Sequence, residues 1–462
     1  MVSRRPLTST RIRVYSKNVR FACDKGRAVT FPRQIRRVLI SILMLLACTG
    51  CSGLAANATP TAVSAPAPRT VLLLWHAWPD AERRALAGVV ERLNRANPSL
   101  QIVPQMHPAA QLQADLAAAM REGGGPHLAL VPSHTLGALV DVGALLPIND
   151  LLPPDEVARL LPTAVGAAQV TSAAGTNLYG IPITFDTVAL FYNQANFTGA
   201  PPADTTTLLQ VARDIADPDH DPPAWGLAFT LSLDRTLGYL YAFGGQLFDA
   251  QGHVSLGTTG RAGTEAWLTW LLALREDPKL FASVDGVAVD NALSSQRALM
   301  TFDWAHALAR YHTLWADSMG VAPLPRLTGV PAAPQPYVQS DVLVLNARLG
   351  GASEQTAAAT FARYLVAEAA QREWLRVGRQ PVLLNLDLNA DDPAVPPTLR
   401  AAAAAFRLQG ETGLPMPNSR VANEFVWGVL ADMQGSALRR LLAPAQAVEA
   451  ADAALRARLP NP

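Results

Sequence analysis

The stretch VLLLWHAWPDAERRALAGVVERLNRANPSLQIVPQMHPAAQLQADLAAAMREGGGPHLALVPSH, Val71 to His134, decides the fold. Val71 to Trp75 is a short apolar run of the kind that forms a buried strand. Behind it, Pro79-Asp80 and Glu82 open a helix, and Leu86, Val89, Val90 and Leu93 recur at helical spacing until Asn97-Pro98 stops it near Ala96. Leu100 to Val103 alternates as a second strand. Ala109 to Glu122 predicts a second helix, closed by Gly123-Gly124-Gly125-Pro126. His127 to Val131 is a third strand, and Thr135 to Val142 a third helix. Strands alternating with helices predict an α/β fold with an open, mostly parallel sheet. Ligands of such sheets sit beyond the carboxyl ends of the strands, which here deliver His76-Ala77-Trp78 and Pro132-Ser133-His134.

Upstream of this block the chain carries an address. Arg33, Arg36 and Arg37 precede the apolar run Val38 to Ala47, which ends in Cys48-Thr49-Gly50-Cys51-Ser52. Charged n-region, short h-region and small residues at the cut are the order of an export signal. The run is too short to span about 30 Å of hydrocarbon, which takes roughly 20 apolar residues. Its small-small-Cys ending resembles a bacterial lipobox with Cys51 as the lipid-bearing residue, Cys48 being the alternative. The competing reading is an uncleaved anchor helix over 38–56. Both place the body of the protein outside the cytoplasm, at a membrane. Residues 1–50 are thus read as an N-terminal extension and signal peptide, and 51–69, small and proline-rich, as a flexible tether.

The net charge of +1 conceals an asymmetry: residues 1–50 hold 11 of the 38 Lys+Arg and one of the 37 Asp+Glu. The remainder has 27 basic and 36 acidic residues, a formal charge of −9, which disfavours nucleic acid and anionic lipid as partners. The three cysteines are Cys23, Cys48 and Cys51, so the body has no disulfide framework, thiol nucleophile or cysteine metal site. About 400 residues predict two domains.

The rest of the chain is less regular. Thr184 to Asn193 reads as one long extended segment, followed by helical stretches around 205–216, 234–247, 261–276 and 288–299. Ala298 to Phe302 is a strand, Asp303-Trp304-Ala305-His306 a helix start, and Val338 to Asn346 extended. From 353 onward almost all is helix.

The order of these signals resembles a known family. A lipobox, a strand bearing Trp75, a helix ending Asn-Pro and GGGPHLALV (Gly123 to Val131) come first. GALLPIN (Gly143 to Asn149), LYGIP (Leu178 to Pro182), ALFYN (Ala189 to Asn193), Trp225-Gly226-Leu227 and Ala298-Leu299-Met300 with Trp304 follow. Together they look like the extracellular solute-binding proteins of ABC importers, specifically the sugar-binding group typified by maltose-binding protein. The resemblance implies a two-lobed, type II clamshell of the periplasmic-binding-protein fold with its ligand cleft between the lobes. Lobe one would take 70–186 plus 338–383, lobe two 187–325 plus 384–462, with 326–337 as return crossover. It also implies a lipid-anchored monomer at the outer face of a bacterial membrane or in the periplasm. Its partners would be a small-molecule sugar and permease subunits with their cytoplasmic ATPase. No cofactor, metal or catalysis is implied.

Sugars are held by aromatic faces against ring C–H groups and by carboxylates or amides that accept from vicinal hydroxyls. Nine tryptophans against one lysine (Lys279) beyond the signal favour stacking over charge pairing. The candidate aromatics are Trp78, Phe185, Tyr239, Trp304 and Trp427, the last competing with Phe425 for one position. The family commonly places a stacking tryptophan where Trp304 stands and an acidic contact where Asp186 stands. Asp80, Ser133, His134, Asp303 and Gln339 complete the set, and Arg235 or Arg261 near the cleft would shift preference toward an anion. Trp225, Trp267 and Trp270 belong to the core of lobe two. Asp217 to Asp221 spaces carboxylates like the start of a calcium loop, but Pro222 and Ala228 replace the glycine and glutamate such a loop requires. A glycoside hydrolase, needing two carboxylates about 5 to 9.5 Å apart, and a scaffolding lipoprotein on the same fold are the rival readings.

Overall fold

The computed structural model describes residues 69–172, 175–196, 199–249, 253–330, 332–388 and 392–459. Cys51, the apolar run before it and the tether lie outside the described residues. Strands are β1 (Thr70–His76), β2 (Leu100–Met106), β3 (Leu128–Pro132), β4 (Gln169–Ser172), β5 (Gly175–Leu178), β6 (Ile181–Asp186) and β7 (Val188–Asn193), followed by β8 (Trp225–Thr230), β9 (Phe281–Ser283), β10 (Ala298–Trp304), β11 (Met319–Ala322), β12 (Tyr337–Leu345), β13 (Gln380–Pro381) and β14 (Leu414–Pro415).

They build two main sheets. The first runs β13-β6-β12-β3-β1-β2 with β14 beside the start of β12, and the second runs β11-β7-β10-β8-β9. In the first, β1 pairs parallel with β2 and β3, while β12 lies antiparallel between β3 and β6. In the second, β7 runs antiparallel to β10 and β11. The β4–β5 hairpin stands apart. Each main sheet has helices packed on it, giving the two-lobed α/β architecture that the resemblance implied, but both sheets mix parallel and antiparallel pairs where the strand–helix alternation predicted a mostly parallel one.

Local chemistry explains the first block. Helix Asp80–Ala96 buries Leu86, Val89, Val90 and Leu93, one apolar stripe. Asn97 ends it, both its backbone N–H and its side-chain amide donating to the Leu93 carbonyl at 3.0 Å. Asn94 reaches across to β2, accepting from Ile102 N–H at 2.9 Å and donating to Ile102 O at 3.0 Å. That fixes how the helix sits over the sheet.

The apolar residues form two buried clusters. One holds Leu72, Leu74, Val131, Val342 and Trp374 under the first sheet. The other holds Phe229, Leu237, Trp267 and Phe302 under the second. Helix Pro397–Thr412 extends the first cluster to the second sheet: its Phe406 lies 5.7 Å from Phe191 of β7, which in turn packs 4.5 Å from Tyr311, and all three belong to that cluster. Trp267 is fully buried, Trp270 packs against this second cluster, and Trp225 stacks on Phe281 at 4.5 Å.

Three readings of the sequence need correction. The segment Thr184 to Asn193 is two strands in two different sheets, separated at Thr187. The helix expected over 288–299 spans only Gly286–Ser294, because Gln296 turns the backbone to φ 56° before β10 begins. The C-terminal third is interrupted by β13 and β14 and by the irregular stretch between β13 and helix Pro397–Thr412. No helix among the described residues is long and apolar enough to cross a membrane.

Candidate binding cleft

The carboxyl ends of β1, β3 and β6 and the starts of β12 and β13 lie at one edge of the first sheet; β8, β10 and β11 likewise end at one edge of the second. Three chain segments cross between the sheets, and they are hydrogen-bonded side by side. Thr187, fully buried between β6 and β7, donates its hydroxyl to Tyr337 O at 3.0 Å at the start of β12. Leu414 N–H donates to Pro336 O at 3.0 Å and Met416 N–H to Val338 O at 2.9 Å, aligning β14 with the same strand.

Asp186 and Gln339, both proposed from sequence, are partners here. They face each other across the β6–β12 ladder, and the Gln339 amide donates to Asp186 Oδ2 at 3.3 Å. The carboxylate also accepts from lobe two: His306 N–H at 3.2 Å to Oδ1 and His306 Nδ1 at 2.7 Å to Oδ2. This hydrogen bond is the largest influence raising the His306 pKa above its ordinary value; burial opposes it.

The wall contributed by lobe two centres on Asp303 and Trp304, at the end of β10. Asp303 is 4% exposed. It accepts from Arg235 at 3.2 and 2.8 Å, from Arg310 at 3.2 Å, from the Tyr311 hydroxyl at 2.8 Å and from Trp304 N–H at 2.9 Å. A buried carboxylate is tolerated only with this kind of saturation. Trp304 is 7% exposed, with its indole N–H donating to Asp234 at 2.7 Å and its ring roughly parallel to His306, centroids 6.4 Å apart. Asp234 opens helix Leu233–Ala242 and is about half exposed. Arg235, raised from the sequence as a possible anion ligand, is spent on Asp303 and Asp234.

In lobe one, Trp78 is 4% exposed. Its indole N–H donates to Asp341 at 2.8 Å, its ring lies edge-on to Trp374 at 5.1 Å, and the Arg379 guanidinium covers it at 5.3 Å. Arg379 also donates to Asp341 at 2.7 Å and sits 3.5 Å from Glu82. Ser133 is fully buried, accepting from Ser340 N–H at 3.1 Å. His134 is half-buried with Nδ1 enclosed and unpartnered. Burial lowers its pKa, against the opposing pulls of Gln339 and Asp341. Its carbonyl accepts from Asn423 at 2.5 Å, a contact with the C-terminal segment.

The remaining candidates are scattered. Asp80 is an exposed carboxylate on the first turn of its helix, 3.9 Å from Arg83. Phe185 is buried, with the backbone of Gly410 against its ring. Tyr239 has no exposed surface: its hydroxyl donates to Pro325 O at 3.1 Å and its ring packs on Trp270 at 4.7 Å. Its helical periodicity could not show which side of the helix faces inward. Trp427 is half-buried, edge-on to Tyr337 at 5.4 Å, with an enclosed indole N–H that has no partner. It follows one π-helical turn, Ala422–Val426, an irregularity that recurs at functional sites. The Tyr337 and Tyr241 hydroxyls are hydrogen-bonded to each other.

Sequence reasoning missed Asp234, His306, Asp341 and Arg379. Strand alternation offered a signal for Asp341, which shares a face with Gln339 two residues earlier. His306 stands two residues after Trp304. Arg379 had none, since it lies in a turn between a helix and a two-residue strand.

Comparison with known proteins follows the same lines. A maltotriose-binding protein of Pyrococcus abyssi (strain GE5 / Orsay) is 25% identical over 178 residues, covering 38% of this chain and 37% of that relative; the matched region thus spans little over a third of that protein. Among solved structures, the maltose/maltodextrin-binding domain MalE of Bdellovibrio bacteriovorus bound to maltotriose superposes with a TM-score of 0.65 at 23% identity, over 84% of this chain and 100% of that one. The Thermus thermophilus maltotriose-binding protein bound with maltotriose gives 0.64 at 23% identity, over 84% and 99%. These likenesses show a shared fold, and the relatives are named as binding proteins rather than enzymes. The family described as bacterial extracellular solute-binding protein matches residues 88–405, more than half the sequence, and the chain is a member of that family.

Proposed function

We propose that this chain is the substrate-binding subunit of an ABC importer, that it holds a neutral oligosaccharide of the maltotriose class between its lobes, and that it releases the sugar unchanged to a membrane permease. The observation that carries this reading is the meeting of Asp186 and Gln339 from lobe one with His306, Trp304 and Asp234 from lobe two. Carboxylate and amide acceptors beside an indole are what a pyranose needs. Charge supports a neutral ligand: Arg235 and Arg310 are held by Asp303, and Arg379 by Asp341, which leaves no arginine of this group free for a phosphate. The relatives named for maltotriose support the class of sugar. Lipidation at Cys51 would hold the protein at the outer membrane face, and mass spectrometry of the exported protein and of Cys51→Ala tests that assignment.

The decisive experiment is calorimetric titration of the full chain with maltotriose, maltose, a sugar phosphate and an amino acid. Maltotriose is expected to bind, and at 100 times its Kd to stabilise the fold by about 2.7 kcal/mol. Asp186→Ala and Trp304→Ala should each weaken it at least tenfold while the protein stays folded. Lack of response to every neutral sugar by a folded protein would sink the reading, and hydrolysis of a maltoside would replace it with the hydrolase.

A further inference from the structure

The contact between His306 and Asp186 extends a ladder across the first crossover. Within lobe two, β10 pairs with β7 as far as Trp304 opposite Val188. Ala305 N–H then donates to Thr187 O at 3.0 Å, on the linking residue itself. One residue further, His306 gives its backbone N–H and its ring nitrogen to the Asp186 carboxylate, the last residue of β6 in lobe one. The crossover is therefore gripped on both sides by one short run of lobe two. Two of the three contacts use backbone N–H groups and do not depend on the charge of the imidazole. The third uses an imidazole whose side chain is 57% exposed, open to exchange protons with solvent.

We propose that His306 is a positioning residue: it fastens Asp186 to lobe two across the hinge, tightest when the imidazole is protonated, and so sets both the freedom of the lobes and the presentation of Asp186 to a ligand. The second half rests on the carbohydrate reading; the first does not. A charge-assisted N–H to carboxylate bond is roughly twice as strong as a neutral one. The groups facing the imidazole are Asp186 on β6 with Gln339 behind it on β12, Asp303 and the Trp304 ring on β10, and Arg379 before β13. The two carboxylates favour the imidazolium and Arg379 disfavours it, with Asp186 in direct contact. Because the pKa is raised in the fold, the extra grip is complete below the ordinary histidine value and fades as pH rises through the raised one.

Small-angle scattering of the unliganded full chain at pH 5.5 and 8.5 tests the clamp. Wild type is expected to be more compact at pH 5.5. His306→Gln should look alike at both pH values, and His306→Arg, charged throughout, should stay compact at both. Equal compactness of wild type at the two pH values, or the same pH response in His306→Gln, overturns the clamp. Maltotriose titration then tests presentation: wild type should bind several-fold more tightly at pH 5.5 than at 8.5, and His306→Gln equally at both. A pH-independent affinity in wild type overturns that half. Absence of maltotriose binding at either pH overturns the carbohydrate reading and presentation with it, while the scattering result still decides the clamp.

Discussion

His76 carries a cost that only its surroundings reveal. The ring is 2% exposed at the end of β1, its Nδ1 accepting from Trp78 N–H at 3.2 Å. Burial first, then Arg83 and His107, lower its pKa from 6.5 to about 4. The neutral form is favoured in the fold, so its contribution is complete above pH 6.5 and lost as pH falls toward 4, on the order of 3 kcal/mol. Urea denaturation at pH 7 and 4.5 should show a smaller loss for His76→Gln than for wild type. At this scale the sequence was only partly readable. The structure brings Asp186, Gln339, Asp303 and Trp304, which stand at or near strand ends, together beside the first crossover. Trp78, Phe185 and Tyr239 looked equivalent to them and are enclosed, as Asp303 and Trp304 also are. Their rings pack instead on Trp374, Gly410 and Trp270, since residue type does not report which side of an element meets the opposite layer.

Among elements, helix Leu136–Asp141 and the segment at 418–420 approach backbone to backbone. Gly137 N–H donates to Asn418 O at 3.0 Å, and Asn418 donates to the carbonyls of Ala167 at 2.9 Å and Gln169 at 2.6 Å. A Cβ on Gly137 would lie 2.4 Å from Asn418 O and 2.7 Å from Ser419 Cα, both backbone atoms that cannot step aside. Gly137→Ala is therefore expected to cost about 1–3 kcal/mol as overpacking and to lower the melting midpoint by several degrees, measured by calorimetry. The main helices and strands were legible from periodicity, helix Asp80–Ala96 to the residue. The sheet switch at Thr187 followed only from the resemblance, which set the lobe boundary between 186 and 187; periodicity could not show it, because β6 and β7 are both buried apolar runs and a hydrogen-bond partner leaves no trace in the alternation. The π-helical turn before Trp427 was invisible for the same reason.

For the whole molecule, two lobes followed from length and resemblance. The strand order did not: no local signal places β12 between β3 and β6. The stitching of the crossings also emerges only in three dimensions, and Thr187 is its test. Thr187→Val keeps the volume but leaves Tyr337 O without its buried donor, an expected loss of about 1–3 kcal/mol in denaturant unfolding. That central β12 also dictates a timetable. Every strand of the second sheet lies between 188 and 322, whereas the first sheet waits for 337–345 to bridge β3 and β6. As the chain emerges from its N-terminus, the sheet begun first is finished last, and the strands of the later sheet can all pair beforehand, while the second lobe still awaits its C-terminal helices.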